Sequence, residues 1–111
     1  RMTMLYALAQ TYNGRVACCD NLSESFIGYS TLFGDNVGSF APLAELTVTE
    51  VRMIGDALGL PEKWVHKIPD DGLPNSCPDE EKFGFSYDIN DCFYLSRGGD
   101  WESLDFYKLK K

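Results

Sequence analysis

Ser23-Glu24-Ser25-Phe26-Ile27-Gly28-Tyr29-Ser30-Thr31-Leu32-Phe33-Gly34-Asp35 gathers a helix cap, two acids and two glycines into one short stretch. Ser23 reads as the N-cap of a short helix, with Glu24 in the first turn, where the helix dipole favours negative charge. Upstream, Arg15-Val16-Ala17-Cys18-Cys19 is the kind of apolar run expected of a strand buried in a parallel sheet, and Asp20-Asn21 ends it. Asn13-Gly14 is a turn signal. Before it, Met2, Leu5, Tyr6 and Ala9 fall on one face of a helix predicted over 2–10. One clear strand among several helices is too few for a doubly wound sheet on its own.

Downstream, Thr47-Val48-Thr49-Glu50 is a capping box, and Leu46 with Val51 can form the hydrophobic staple that often accompanies one. Val51, Ile54, Ala57 and Leu58 make the predicted inward stripe, and Gly59-Leu60-Pro61 supplies a left-handed stop and a breaker. The two end signals together are worth about 1–3 kcal/mol. Pro61 to His66 predicts one further turn, with His66 an ordinary helix-end residue. Residues 68–85 then carry Pro, Gly and Asp at loop density, and Asp70, Asp71 and Asp79-Glu80-Glu81 read as a solvated acidic rim. Ser86 caps a last substantial helix with Ile89, Cys92 and Phe93 on one face, stopped by Gly98. Asp100 caps a short tail helix. Phe83, Phe85, Tyr87, Phe93 and Tyr94 read as core.

At 111 residues the chain bounds one domain, and 44% apolar with 14% aromatic residues is the composition of a folded core. A formal net charge of −7 argues against non-specific binding to nucleic acid or to anionic membranes, which needs clustered Lys and Arg. Cys18, Cys19, Cys77 and Cys92 show neither C-x-x-C pairing nor a disulfide framework, so four free thiols and a cytoplasmic location are expected. No signal peptide is visible, and no apolar run approaches the ~20 residues of a membrane span.

The stretch at 23–35 resembles the S-E-x-x-x-G-Y-x-T-x-x-G-D signature of ammonia-dependent NAD synthetases. Phe40-Ala41-Pro42-Leu43, Leu46-Thr47, Gly59-Leu60-Pro61, and Lys67-Ile68-Pro69-Asp70-Asp71-Gly72-Leu73 resemble the family's next landmarks, in its order. Asp79-Glu80, Gly84-Phe85-Ser86-Tyr87 and Asp91 resemble its closing pattern. The resemblance runs over 1–95, leaving 96–111 as a tail. It implies the C-terminal portion of an adenine-nucleotide hydrolase-like α/β sandwich, mostly helical with one or two short parallel strands, in a family that is usually homodimeric. The implied reaction is ATP-dependent adenylation of deamido-NAD followed by amidation with ammonia. By resemblance Glu24 matches a Mg²⁺ ligand and Asp35 lines the deamido-NAD pocket. Cys19 stands beside the adenylate, and Thr47 and Lys67 lie in segments that approach the bound nucleotides, ATP among them.

Departures from the family pattern shape the expectation. Its S-G-G-x-D-S loop, which cradles the ATP pyrophosphate, would lie upstream of Arg1 and is not in the sequence. Cys19 replaces a usual Thr, Leu32 a usual Lys or Arg, and Ser39 a usual Asp. Losing a cation removes several kcal/mol of transition-state stabilisation, to order of magnitude. Arg1 as first residue is compatible with a natural start, and it also hints at a cleavage or at a piece excised from something longer. The lone chain is therefore expected not to turn over, and to self-associate or bind a protein partner such as an N-terminal half of the same enzyme. The alternative is a small acidic, non-catalytic binding or inhibitor protein that occupies a basic site on a macromolecular partner; a nucleotide sensor is a third reading.

Overall fold

Side chains that accept the first free amides set the starts of three of the six described helices, those beginning at Leu22, Val48 and Tyr87, as the residues before each show. The computed structural model describes residues 1–98, and among them helices run α1 Met2–Thr11, α2 Leu22–Ile27, α3 Val48–Ala57, α4 Glu62–Val65, α5 Asp79–Phe83 and α6 Tyr87–Ser96. The chain divides after Ile68, so α1 to α4 belong to one compact unit and α5 and α6 to a second.

In the first unit the predicted parallel strands reduce to a single parallel bridge between Ala17 and Phe40; no longer ladder occurs among the described residues. The Val16 carbonyl accepts from the Ser39 amide at 2.7 Å, and the Cys18 amide donates to the Phe40 carbonyl at 2.8 Å. This approach depends on Gly38, because a Cβ there would lie 2.4 Å from the Cys18 nitrogen. Pro42 follows at once and has no N–H to extend the pairing. Val16 and Cys18 point inward and join Leu22, Phe26 and Val48 in the apolar core.

The cap of α2 lies two residues earlier than Ser23. Asn21 Oδ1 accepts the Glu24 amide at 3.1 Å, and Glu24 Oε2 accepts the Asn21 amide at 2.9 Å, a reciprocal capping box. Ser23 is buried instead, and its hydroxyl oxygen accepts the Val48 amide at 2.9 Å, which ties the start of α2 to the first turn of α3. The Thr47–Glu50 box forms as predicted. Gly59 is left-handed at φ 69 just past the end of that helix. The inward stripe is corrected: Ile54 and Leu58 are exposed, whereas Val48 and Gly55 are buried. The reason is α4, which packs on α3 through Gly55; a Cβ there would come 3.0 Å from Val65 Cγ2. Bare backbone, not the most apolar face, makes the contact.

In the second unit Ser86 caps α6 as predicted, accepting the Ile89 amide at 3.4 Å. Here too the buried face differs. Tyr87, Asn90 and Asp91 are buried, while Ile89, Cys92 and Phe93 are exposed. Of the aromatics read as core, Tyr87 is fully enclosed with the Phe83 ring edge-on at 5.8 Å, but Phe85 and Phe93 are exposed. The acidic rim is also corrected. Residues 79–83 form α5, and Asp79 is buried in an ion pair with Lys82 at 3.0 Å. The same Lys82 reaches Asp71 at 2.9 Å and, with the Leu73 amide, holds that carboxyl down to about 2. The tail helix predicted from Asp100 lies outside the described residues.

Candidate functional site

The signature stretch folds back on the residues that precede it. Gly28, left-handed at φ 72, ends α2 and turns the chain. The Tyr29 amide then closes on the Glu24 carbonyl at 2.9 Å. Asp35 Oδ1 accepts the Thr31 amide at 2.7 Å and also the Thr31 hydroxyl, fixing a tight turn over 31–35. The buried Cys18 thiol donates to the Asp35 carbonyl at 3.3 Å, so this turn sits against the end of the 16–18 segment.

Two acids meet there. Burial opposes the Asp35 charge, but the Thr31 hydroxyl and the amides of Thr31, Asp35 and Asn36 outweigh it and hold this carboxyl below the usual range. Asp20 is pushed the other way. Burial raises its pKa, the Asp35 charge raises it further, and a hydrogen bond from Ser30 only partly compensates. Its Oδ2 is buried with no hydrogen-bond partner among the described residues. The pair thus divides its roles, with Asp35 ionised and Asp20 the group that keeps its proton longest.

Asp20 was not among the residues singled out in the sequence, where it reads only as the end of a strand. Its signal is positional: an acid directly after an apolar run and four residues before Glu24. Of the residues that were singled out, Asp35 stands at this meeting point. Glu24 is half-buried and joins it through the α2 cap. Thr47 is buried, and its hydroxyl both accepts the Glu50 amide and donates to Glu50 Oε2 at 2.9 Å, so it acts through the start of α3. Cys19 is exposed beside Asp20, and its thiol lies 3.9 Å from the Ala17 carbonyl. Lys67 is exposed just after α4, whose C-cap His66 pairs with Asp56 at 3.1 Å.

Among the described residues no three His, Cys, Asp or Glu side chains converge on a point that could hold a metal. Glu24 offers a hard carboxylate oxygen suited to magnesium, but one of its two oxygens already serves the α2 cap. A magnesium ion here fits only as a partner to phosphate oxygens and water. No helix among the described residues is long and apolar enough to cross a membrane.

A family model described as NAD synthase matches residues 1–99. The chain belongs to the NAD synthase family. It is 38% identical to the NH(3)-dependent NAD(+) synthetase of Malacoplasma penetrans over all of its own length and 47% of that relative. With the corresponding enzyme of Carboxydothermus hydrogenoformans identity is 42%, over 97% of this chain and 44% of the relative. The solved NMN synthetase of Francisella tularensis superposes with a TM-score of 0.81 at 38% identity, covering 86% of this chain and 40% of that one. The NH3-dependent NAD synthetase of Campylobacter jejuni gives 0.58 at 27% identity, over 87% and 39%. The chain spans less than half the length of each of these family members.

Proposed function

We propose that the chain supplies one side of the site for an ATP-dependent amidation in which ammonia converts deamido-NAD to NAD, and that it does not turn over alone. The observation that carries this reading is the NAD synthase family match over residues 1–99, within which Asp35 of the signature is fixed in a turn by the Thr31 amide at 2.7 Å. In the reaction, the deamido-NAD carboxylate attacks ATP and releases pyrophosphate, ammonia adds to the acyl carbon, and AMP leaves with the carboxylate oxygen. Magnesium, when bound, would supply charge neutralisation for the departing phosphate oxygens, and Glu24 would offer it one carboxylate oxygen. Asp35 lines the dinucleotide pocket, where an ionised carboxylate accepts hydrogen bonds from hydroxyl or amine donors. Thr47 keeps the start of α3 in place, and Cys19 and Lys67 border the nucleotides.

Support for inactivity of the lone chain comes from the sequence. Nothing in it supplies a glycine-rich turn between a strand and a helix to cradle a triphosphate, and Leu32 and Ser39 replace the charged residues usual in the family. The test has two arms. Calorimetry with deamido-NAD should show binding by the chain itself. Incubation with ATP, magnesium, ammonia and deamido-NAD should yield NAD only after addition of the remainder of a relative's enzyme, expressed separately. Failure of both binding and rescue contradicts the proposal.

A second substrate reading has its own support. The chain superposes more closely on the enzyme named for NMN synthesis than on the Campylobacter NAD synthetase, 0.81 against 0.58. The same amidation applied to the mononucleotide acid gives NMN, and running both acids side by side in the rescue assay decides between them.

A further inference from the structure

Between Lys67 and Arg97 the sequence carries seven acids and a single cation, Lys82. Lys82 Nζ donates to Asp79 Oδ1 at 3.0 Å and to Asp71 Oδ2 at 2.9 Å. The two partners differ in kind. Asp79 opens α5 with its side chain 5% exposed, whereas Asp71 lies in a loop with its side chain 29% exposed. A buried carboxylate that loses its cation is costly, while a partly exposed pair contributes little to overall stability. Asp79 therefore fixes the ammonium, and Asp71 is the partner it captures. Glu80 is turned elsewhere, its Oε1 accepting the Tyr87 amide at 2.9 Å. The captured loop closes on itself at the neck, where the Asp79 amide donates to the Pro69 carbonyl at 3.0 Å. Within it, Asp70 Oδ1 accepts the Gly72 amide at 2.7 Å and Asp71 Oδ1 accepts the Leu73 amide at 2.9 Å, and Gly72 and Asn75 are left-handed. Those two bonds each span two residues; the Lys82–Asp71 pair spans 11 and ties the loop to α5.

We infer that Lys82 is a positioning residue: anchored on buried Asp79, it captures Asp71 and holds the 69–76 loop in one place for nucleotide binding. The inference rests on the functional reading above, because residues 69–73 continue the segment that begins at Lys67, and it names a residue which that reading does not use. Each oxygen of Asp71 has its own task, Oδ1 shaping the local turn and Oδ2 meeting the ammonium. Lys82 and the Leu73 amide hold this carboxyl down to about 2, so the pair persists through the neutral range. A loop ordered in advance loses less conformational freedom when a ligand arrives. Its contribution is then to substrate affinity, not to the chemical step, and it should appear in KM with kcat little changed.

Asp71→Asn is the discriminating variant. Its amide oxygen can still accept the Leu73 amide, but its NH2 group cannot accept from the ammonium. In the full chain, NMR amide exchange corrected for local sequence should show protection at Leu73 and Ser76 falling by about threefold or more, with the thermal midpoint nearly unchanged. Lys82→Gln should lose the same protection and also lower the midpoint, because Asp79 loses its cation. Lys82→Arg should stay close to wild type in both measurements. With the complementary portion of a relative added, Asp71→Asn should raise KM for ATP or deamido-NAD by about threefold or more and leave kcat within about twofold. If Lys82→Gln does not fold, Asp71→Asn and Lys82→Arg decide. The inference is overturned by unchanged loop protection in Asp71→Asn, or by Lys82→Arg behaving as Lys82→Gln. NAD formation with KM unchanged for both substrates overturns this inference alone. No NAD from the wild-type mixture removes the functional reading, and the role of Lys82 at the site with it.

Discussion

Asp20 is 7% exposed and carries a carboxylate oxygen without a partner, so ionising it works against the fold. The sign follows from its raised pKa. Stability from the protonated group is fully present below the unfolded value of 3.8 and is lost as pH rises through the higher folded value. Asp20→Asn cannot titrate. Relative to the wild type its stability should therefore rise as pH increases above the unfolded value of 3.8, read as a widening gap in thermal midpoints. A gap that stays constant or narrows contradicts the burial argument. Glu24 separates two roles that coincide at one carboxylate. Gln can still complete the α2 capping box, so Glu24→Gln should change stability by less than about 0.5 kcal/mol. Glu24→Ala should cost about 1 kcal/mol. Both should lower magnesium-dependent turnover in the rescued complex. If Glu24→Gln keeps full activity, the carboxylate is a cap and nothing more.

Among the elements, what was legible in the sequence was the start of α3 and of α6 and the stop after α3. Thr47 with Glu50, Ser86, and Gly59 after α3 all sit where the sequence puts them, because each signal is local and involves only neighbouring backbone. The faces were not legible. Hydrophobic periodicity selects Ile54 and Leu58 in α3 and Ile89 and Phe93 in α6, yet all four are exposed. Gly55, Asn90 and Asp91 are buried instead, since one allows close helix contact and the others are polar groups that apolar counting cannot rank as core. Ser23 shows the same limit: its hydroxyl was assigned to its own helix and serves α3, 25 residues away. Of the candidate site, Asp35 and Glu24 stand within the signature, whereas Asp20 is marked in the sequence only by its position after an apolar run. Thr47→Val removes the α3 cap and should destabilise the chain by about 1–2 kcal/mol in urea unfolding, with Thr47→Ser close to wild type. Gly38→Ala should cost about 2 kcal/mol or more, because its Cβ would overlap the Cys18 backbone. A neutral Gly38→Ala contradicts the described approach of the two segments.

At the scale of the whole molecule, the chain holds a family signature, an acid pair and a parallel bridge in less than half the length of its relatives. The most direct measurement is NAD formation from deamido-NAD, ATP, magnesium and ammonia, made with the chain alone and again with the complementary portion of a relative. The account predicts no product in the first case and NAD in the second. Appreciable NAD from the chain alone contradicts it.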